Sequence, residues 1–125
     1  MSGRVVLDTN IIIYLSKKLL QTSKVFVADT TYFLSVISKM ELLGYPFQNK
    51  IEEEYLLEII DSMIIVPLSE DIVNLTIGLR KKHKVKLPDA IIYATAQKLK
   101  AKLLTNNISD FDKIIGTVEI VNPLD

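Results

Sequence analysis

The chain has 125 residues, 49% of them hydrophobic, and its 15 basic and 15 acidic residues give a formal net charge of zero at pH 7. This balance argues against a protein that grips nucleic acid through an overall positive field, and the absence of cysteine excludes disulfides and thiolate metal sites. We therefore expect residues 1–125 to form a single soluble, cytoplasmic domain with no membrane-spanning segment.

Short apolar runs alternate with longer segments of helical spacing along the chain. The apolar runs predict strands at Arg4–Asp8, Tyr32–Ile37, Met63–Pro67, Lys102–Thr105 and Val118–Val121. The spacing predicts helices at Ile11–Leu20, Lys39–Leu43, Ile51–Asp61, Glu70–Lys82 and Asp89–Lys100. The segment Gln21–Asp29 is open to two interpretations, an extra strand or a loop. The alternation predicts an α/β fold, with a central, mostly parallel sheet of about five strands covered on both sides.

Four acidic residues are placed by this pattern at one edge of the sheet. Asp8 ends the first strand, Glu41 lies in the helix after the second strand, Asp89 begins a helix, and Asp110 follows the fourth strand. In a right-handed strand–helix–strand sheet, strand ends and helix starts share the carboxyl edge. We therefore expect these four carboxylates to converge.

Each acid alone also has a purely structural interpretation. Asp8 is a good helix N-cap, Ser38 and Glu41 match the S-x-x-E capping box, and Asp89 and Asp110 are ordinary helix-start residues. Capping does not account for the arrival of all four at one place.

Carboxylates gathered in a cleft repel one another unless a cation compensates them. With oxygen ligands, no thiol and a single histidine, the pattern favours Mg²⁺ or Mn²⁺ over zinc, and such ions commonly serve phosphodiester or phosphoryl chemistry. Thr105, Asn106 and Asn107 are candidates for additional hydroxyl and amide contacts, although "TNN" is also a plain turn signal.

Four segments carry a family resemblance: "VVLDTNIIIYL", "SVISKMELLGYP", "LPDAIIYATA" and "LLTNNISDF", which together span Val5 to Phe111. In order and separation they resemble the acidic motifs of PIN-domain ribonucleases, in particular the VapC-type toxins of bacterial toxin–antitoxin pairs. The resemblance implies a three-layer α/β/α sandwich and metal-dependent endonucleolytic cleavage of RNA. It places Asp8, Glu41 and Asp89 in the positions of the family's acidic triad.

The fourth acidic position departs from the family pattern. Many members carry an acid where this chain has Asn107, and Asp110 is the nearest acid here. Either residue remains a candidate for the fourth position, and the number of metal ions, one or two, stays open with it.

The resemblance also implies roles and partners. Asp8 and Asp89 would bind the metal, Glu41 would orient or deprotonate the attacking water, and Thr9 or Thr105 would position the scissile group. A homodimer and a small antitoxin that covers the active-site groove are the implied protein partners. Aromatic side chains in "ELLGYPF", residues 41–47, are candidates for an exposed patch that meets a partner.

The basic segment "RKKHKVK", residues 80–86, has two interpretations of similar weight: it steers RNA toward the acidic cleft, or it complements a helix dipole.

Two other functions are compatible with the acids. A catalytically silent PIN-like binding module would keep the fold and act only through partners. An aspartate-dependent phosphatase on a similar sheet would need a second acid two residues after Asp8, where this chain has Asn10.

Overall fold

The computed structural model describes residues 3–124, with a five-stranded sheet at its centre. The spatial order is β3-β2-β1-β4-β5, and all four strand pairings are parallel. The predicted parallel sheet is therefore confirmed, although β5 starts two residues later than the sequence indicates. The strands are β1 Gly3–Leu7, β2 Thr30–Ser35, β3 Ile64–Val66, β4 Lys102–Leu104 and β5 Ile120–Val121.

Five helices connect or flank these strands, as the sequence predicts. The helices are α1 Thr9–Ser16, α2 Val36–Leu43, α3 Lys50–Asp61, α4 Glu70–Lys82 and α5 Leu87–Leu99. Within residues 3–124, none of them is both long and apolar enough to cross a membrane. The ambiguous segment Gln21–Asp29 contains a 3-10 turn at Thr22–Lys24 and otherwise no regular element, so the loop interpretation is right and the extra strand is wrong.

The two faces of the sheet are covered by different helices. Val5 and Leu7 of β1 pack in one core cluster with buried side chains of α1 and α3, whereas Val6 packs on the opposite face with α5. Helix α4 packs against α5. The expected three-layer α/β/α sandwich is confirmed. Three consecutive residues of β1, Val5, Val6 and Leu7, are apolar because both faces of this central strand are buried.

Helix α1 is shorter than predicted, because the chain leaves the helix at Ser16 rather than Leu20. Lys18 adopts a left-handed conformation with φ 58°, and the N–H of Leu19 reaches back to the carbonyl of Tyr14 at 2.9 Å. This is the geometry that ends many helices, usually on glycine or asparagine. A lysine at that position gives no such signal in the sequence.

The boundary between β2 and α2 also differs from the prediction. The strand ends at Ser35 rather than Ile37, and the Ser35 side chain accepts a hydrogen bond from the Ile37 N–H at 3.2 Å as the helix N-cap. The helix thus begins three residues before Lys39. Glu41 lies in its second turn, so the capping-box interpretation of Ser38 and Glu41 is wrong.

Candidate active site

A cavity of about 360 Å³ opens at the carboxyl edge of the sheet. Its acids come from separate elements: Asp8 follows β1, Asp110 follows the neighbouring strand β4, Glu41 lies on α2 and Asp89 in the first turn of α5. The structure therefore brings together all four acids that the sequence places at this edge. The residues that line the cavity are Asp8, Thr9, Asn10, Ile13, Glu41, Tyr45, Asp89 and Asp110.

Asp8 is both a helix cap and part of the cavity wall. It is 5% exposed, and its Oδ1 accepts a hydrogen bond from the Thr9 N–H at 2.8 Å. Its Oδ2 accepts one from the Thr105 hydroxyl at 2.7 Å. Burial raises the pKa of Asp8; these hydrogen bonds lower it, while the Glu41 and Asp110 charges raise it further. Two fixed hydrogen bonds hold the carboxylate in one orientation.

Glu41 is exposed but tethered through Thr9. The Thr9 hydroxyl lies 2.8 Å from Oε1 of Glu41 and 2.9 Å from the hydroxyl of Ser38. Because a carboxylate only accepts, the single proton of Thr9 serves Glu41, and Ser38 then donates to Thr9. Ser38 is fully buried, so this chain of hydrogen bonds anchors Glu41 in the fold.

Asp89 stands half-buried at the start of α5, and Pro88 precedes it in the first turn. Its pKa is raised to about 6, chiefly by burial and then by the charges of Asp110 and Asp8; Lys86 opposes the rise, and Glu41 adds to it. All three other acids therefore act on Asp89 at short range. Protonation or a bound cation would relieve this repulsion.

The structure distinguishes the two candidates for the fourth acidic position. Asp110, at the end of the 3-10 turn Ile108–Asp110, lines the cavity, whereas Asn107 is exposed and does not. The N–H of Asn107 instead donates to the hydroxyl of Thr105 at 2.9 Å. Asn107 thus supports Thr105 through its backbone, and Thr105 in turn supports Asp8.

The other accessory candidates lie around the cavity in different roles. Thr105 is fully buried and does not line the cavity, so it positions Asp8 rather than a substrate group. Thr9 lines the cavity but is engaged with Glu41. Sequence reasoning missed Ser38 as the anchor of Thr9, because its place in an apparent capping box offered a simpler role.

Among the described residues, no lysine or arginine neutralises the acids of the cavity by direct contact. Within residues 3–124 the ion pairs closer than 4.0 Å are Lys17–Glu52 and Lys98–Asp71, and neither touches the cavity. In the same part of the chain, no three acidic or histidine side chains stand close enough to form a complete metal centre by themselves. Mg²⁺ usually keeps several waters and takes one or two carboxylates, so oriented oxygens around open space fit a hydrated ion of this type.

Comparisons with known proteins agree with this architecture. A family model described as PIN domain matches residues 5–115. A search of curated protein sequences gives no significant match.

Solved structures of similar fold include a toxin–antitoxin complex from Klebsiella pneumoniae, with 31% identity, a TM-score of 0.71, and coverage of 95% of this chain and 97% of that chain. VapBC2 from Rickettsia felis, bound to a DNA fragment from its promoter, has 22% identity and a TM-score of 0.78, and the match covers 95% of this chain and 98% of that chain. VapBC-1 from nontypeable Haemophilus influenzae has 21% identity and a TM-score of 0.77, with coverage of 98% and 99%.

The two VapBC structures, at 21% and 22% identity, support the fold alone. The family model, in contrast, matches nearly all of the described chain, including all four acids of the cavity. The parallel sheet and the position of the cavity agree with it. The sequence resemblance is thus confirmed, and the chain belongs to the PIN domain family.

Proposed function

We propose that this chain is a metal-dependent endoribonuclease and the toxin of a toxin–antitoxin pair. The observation that carries the proposal is the convergence of Asp8, Glu41, Asp89 and Asp110 on one cavity without a basic partner in direct contact among residues 3–124. Such a cluster suits Mg²⁺ or Mn²⁺, and a bound ion of this kind stabilises the charge that develops on a phosphodiester.

The residues of the cavity would have two main roles, metal binding and activation of the attacking water. Asp8, fixed by Thr105 and the start of α1, and Asp89, fixed at the start of α5, would hold the ion. Glu41, held by Thr9, would orient the attacking water and accept its proton. Asp110 completes the negative wall of the cavity.

Cleavage of a structured RNA by the purified chain tests this proposal. We expect cutting in Mg²⁺ or Mn²⁺ and none in EDTA. Asp8→Asn and Asp89→Asn should each lose about 100-fold or more in rate, because an amide keeps the shape but removes the ligand charge. Asp112→Asn is the matched control, since Asp112 is exposed and does not line the cavity. Cutting in EDTA, or full activity of either cavity variant, would reject the mechanism.

The same cleavage assay distinguishes the nuclease from the two alternative functions. A silent PIN-like binding module would cut no RNA in any metal, and an aspartate-dependent phosphatase would act on a phosphate monoester instead. The structure offers the phosphatase no support, because Asn10 lines the cavity where that mechanism needs a second acid.

A small antitoxin and a second copy of this chain are the proposed protein partners. Met40 and Leu43 of α2 are 58% and 53% exposed, and Tyr45 lies beside them on the cavity wall. Tyr45 packs edge-on against Phe47, with the Lys17 ammonium over both rings. This apolar surface next to the acids suits a partner that covers the groove.

Co-expression with the small reading frame next to its gene tests the antitoxin. We expect the two chains to co-purify and RNA cleavage to be suppressed, and Met40→Glu to weaken the complex. Ile115→Glu is the control, because Ile115 is the most exposed large apolar residue and lies in the segment before β5. Light scattering of the purified chain tests the homodimer, and a monomer at tens of micromolar would count against it.

A further inference from the structure

The last turn of α4 and the loop that leads to α5 together hold the highest density of positive charge in the sequence. Residues 80–86, here called the basic connector, hold five of the fifteen Lys and Arg residues and no acid. The rest of the chain therefore carries ten basic against fifteen acidic residues. An anionic partner drawn to this protein through charge meets the basic connector rather than the molecule as a whole.

Stability of the fold does not account for all of these charges. None of the five basic side chains forms an ion pair within the described residues. Arg80, Lys81 and Lys82 lie in the last turn of α4, where the helix dipole favours cations. Lys84 lies beyond that helix. Lys86 is the N-cap of α5, the end at which the dipole disfavours a cation.

The basic connector forms one wall of a cavity of about 460 Å³ that is separate from the acidic one. Its apolar lining residues, here called the apolar floor, are Ile77, Val85 and Leu87, of which Ile77 and Leu87 are nearly half exposed. Its basic lining residues are Arg80, Lys81 and Lys84. His83 supplies a flat ring in this wall. The full lining is Thr76, Ile77, Arg80, Lys81, His83, Lys84, Val85 and Leu87.

The backbone of the connector is held in place. The His83 N–H bonds to the Leu79 carbonyl at 2.8 Å, and the Val85 N–H bonds to the His83 carbonyl at 3.1 Å. The Arg80 side chain donates to the Val85 carbonyl at 3.4 Å, while Val85 packs against the core cluster under α5. The basic side chains thus project from a defined loop.

The connector leads directly to the acidic cavity. Lys86 is three residues before Asp89, and its charge acts on that carboxylate. One end of the positive segment therefore lies one helical turn before Asp89, a wall residue of the acidic cavity, and the other end borders the apolar floor.

An apolar floor with a stacking ring and a basic rim matches the needs of an unpaired nucleotide, whose base seeks an apolar or flat partner and whose phosphates seek cations. A duplex keeps its bases paired and stacked, so it would offer this surface no free base face.

Building on the proposed ribonuclease function, we infer that the basic connector and its cavity bind a single-stranded stretch of RNA beside the bond to be cut, with phosphates on Lys81 and Lys84 and a base against His83 and the apolar floor.

Fluorescence anisotropy with a labelled single-stranded RNA tests this inference. Measurements in EDTA make the result independent of cleavage, so it stands apart from the tests of the nuclease. We expect Lys81→Gln/Lys84→Gln to weaken binding and to reduce the slope of log affinity against log salt by roughly 1.4, because each contact of a single strand contributes about 0.7. Lys24→Gln/Lys102→Gln is the control, because it removes the same number of positive charges from a cavity away from the acids.

The variant His83→Ala separates base stacking from charge. At about pH 8, we expect a loss of affinity of about fivefold or more with an unchanged salt slope. A duplex of the same length should bind the parent more weakly than the single strand does. Circular dichroism of each variant establishes that it is folded.

Three outcomes would overturn the inference. The first is a parent that binds no RNA in EDTA, and the second is equal affinity and salt slope for the connector variant and its control. The third is a connector variant that keeps its RNA affinity but loses the antitoxin, because the surface would then serve an acidic protein instead.

Discussion

Asp89 is the residue at which the electrostatics of the site are most easily measured. Burial and the charges of Asp110, Asp8 and Glu41 raise its pKa from 3.8 to about 6. A raised pKa adds stability below the unfolded value, and this stability is lost as the pH rises through the folded value. For Asp89, the loss falls between about pH 4 and pH 6 in metal-free protein.

Replacement of the Asp89 carboxylate by an amide should therefore change the melting temperature differently at pH 7 and near pH 4. In EDTA, we expect Asp89→Asn to melt at the same or a higher temperature than the parent at pH 7, with a smaller advantage near pH 4. The favourable charge at the helix start is worth only about 0.3–1 kcal/mol, which is too little to reverse this expectation. Thermal melts at both pH values measure the difference.

Asp71 supplies a control, because its pKa is shifted in the opposite direction to that of Asp89. A hydrogen bond from Lys98 and the charge of that lysine lower the pKa of Asp71. The stability that ionised Asp71 contributes is present above its unfolded pKa and is lost as the pH falls through its folded pKa. Asp71→Asn should accordingly melt at the same or a lower temperature than the parent at pH 7. A clearly less stable Asp89→Asn at pH 7 in EDTA would mean that Asp89 is only a helix-start residue.

Thr105 acts on the site through Asp8. Its hydroxyl donates to Oδ2 at 2.7 Å and lowers the Asp8 pKa. Thr105→Val keeps the shape but removes the donor, so we expect the acid limb of the pH–rate profile for RNA cleavage to move to higher pH. Thr95→Val is the matched control, because the Thr95 hydroxyl is equally buried and bonds only to the Ile91 carbonyl. Identical pH–rate profiles for Thr105→Val and Thr95→Val would mean that Thr105 does not position Asp8.

At the scale of elements, α2 determines how Glu41 meets the cavity. The N-cap is Ser35, and the Glu41 side chain bonds to Thr9 rather than back to the helix start. Ser35→Ala should lower the free energy of unfolding by about 1 kcal/mol, as the loss of an N-cap does elsewhere. Glu41→Ala, which removes the side-chain acceptor that a capping box needs, should leave it nearly unchanged while abolishing cleavage. Urea denaturation of both variants measures the two changes, and a destabilisation by Glu41→Ala as large as that of Ser35→Ala would support the capping box instead.

The sequence predicts the elements better than their ends. Helices α3, α4 and α5 carry clear start or stop signals, such as Asn49 before α3 and Pro88 in α5, and their observed bounds lie within two residues of the predicted ones. The end of α1 was missed because Lys18 takes a conformation usual for glycine. The start of α2 was missed because an apolar run crosses from strand to helix without a break in hydropathy.

The convergence of the four acids could be predicted from topology alone, since every strand of the sheet is parallel and every strand end meets the same edge. The contacts of those acids could not. The sequence does not decide between Asn107 and Asp110, because a short 3-10 turn sets which of the two reaches the cavity. Nor does it show that Thr105 supports Asp8 across 97 positions of the chain.

At the scale of the whole molecule, the net charge of zero includes two local regions of opposite charge. The acidic cavity lies at the carboxyl edge of the sheet, and the basic connector runs up to it at Asp89. Under the proposed function, this arrangement would let a polyanion approach on the connector while a cation is bound among the acids. We propose above all that the acids hold such a cation in the folded protein.

The shift of melting temperature with Mg²⁺ at fixed ionic strength and pH 7 tests that claim most directly. Each tenfold increase of Mg²⁺ above its Kd should stabilise the parent by about 1.4 kcal/mol, or roughly 5 °C for a chain of this size. Asp112→Asn should respond as the parent does, whereas Asp8→Asn and Asp89→Asn should gain much less. Equal shifts in the parent and both cavity variants, or no shift in the parent, would contradict the account.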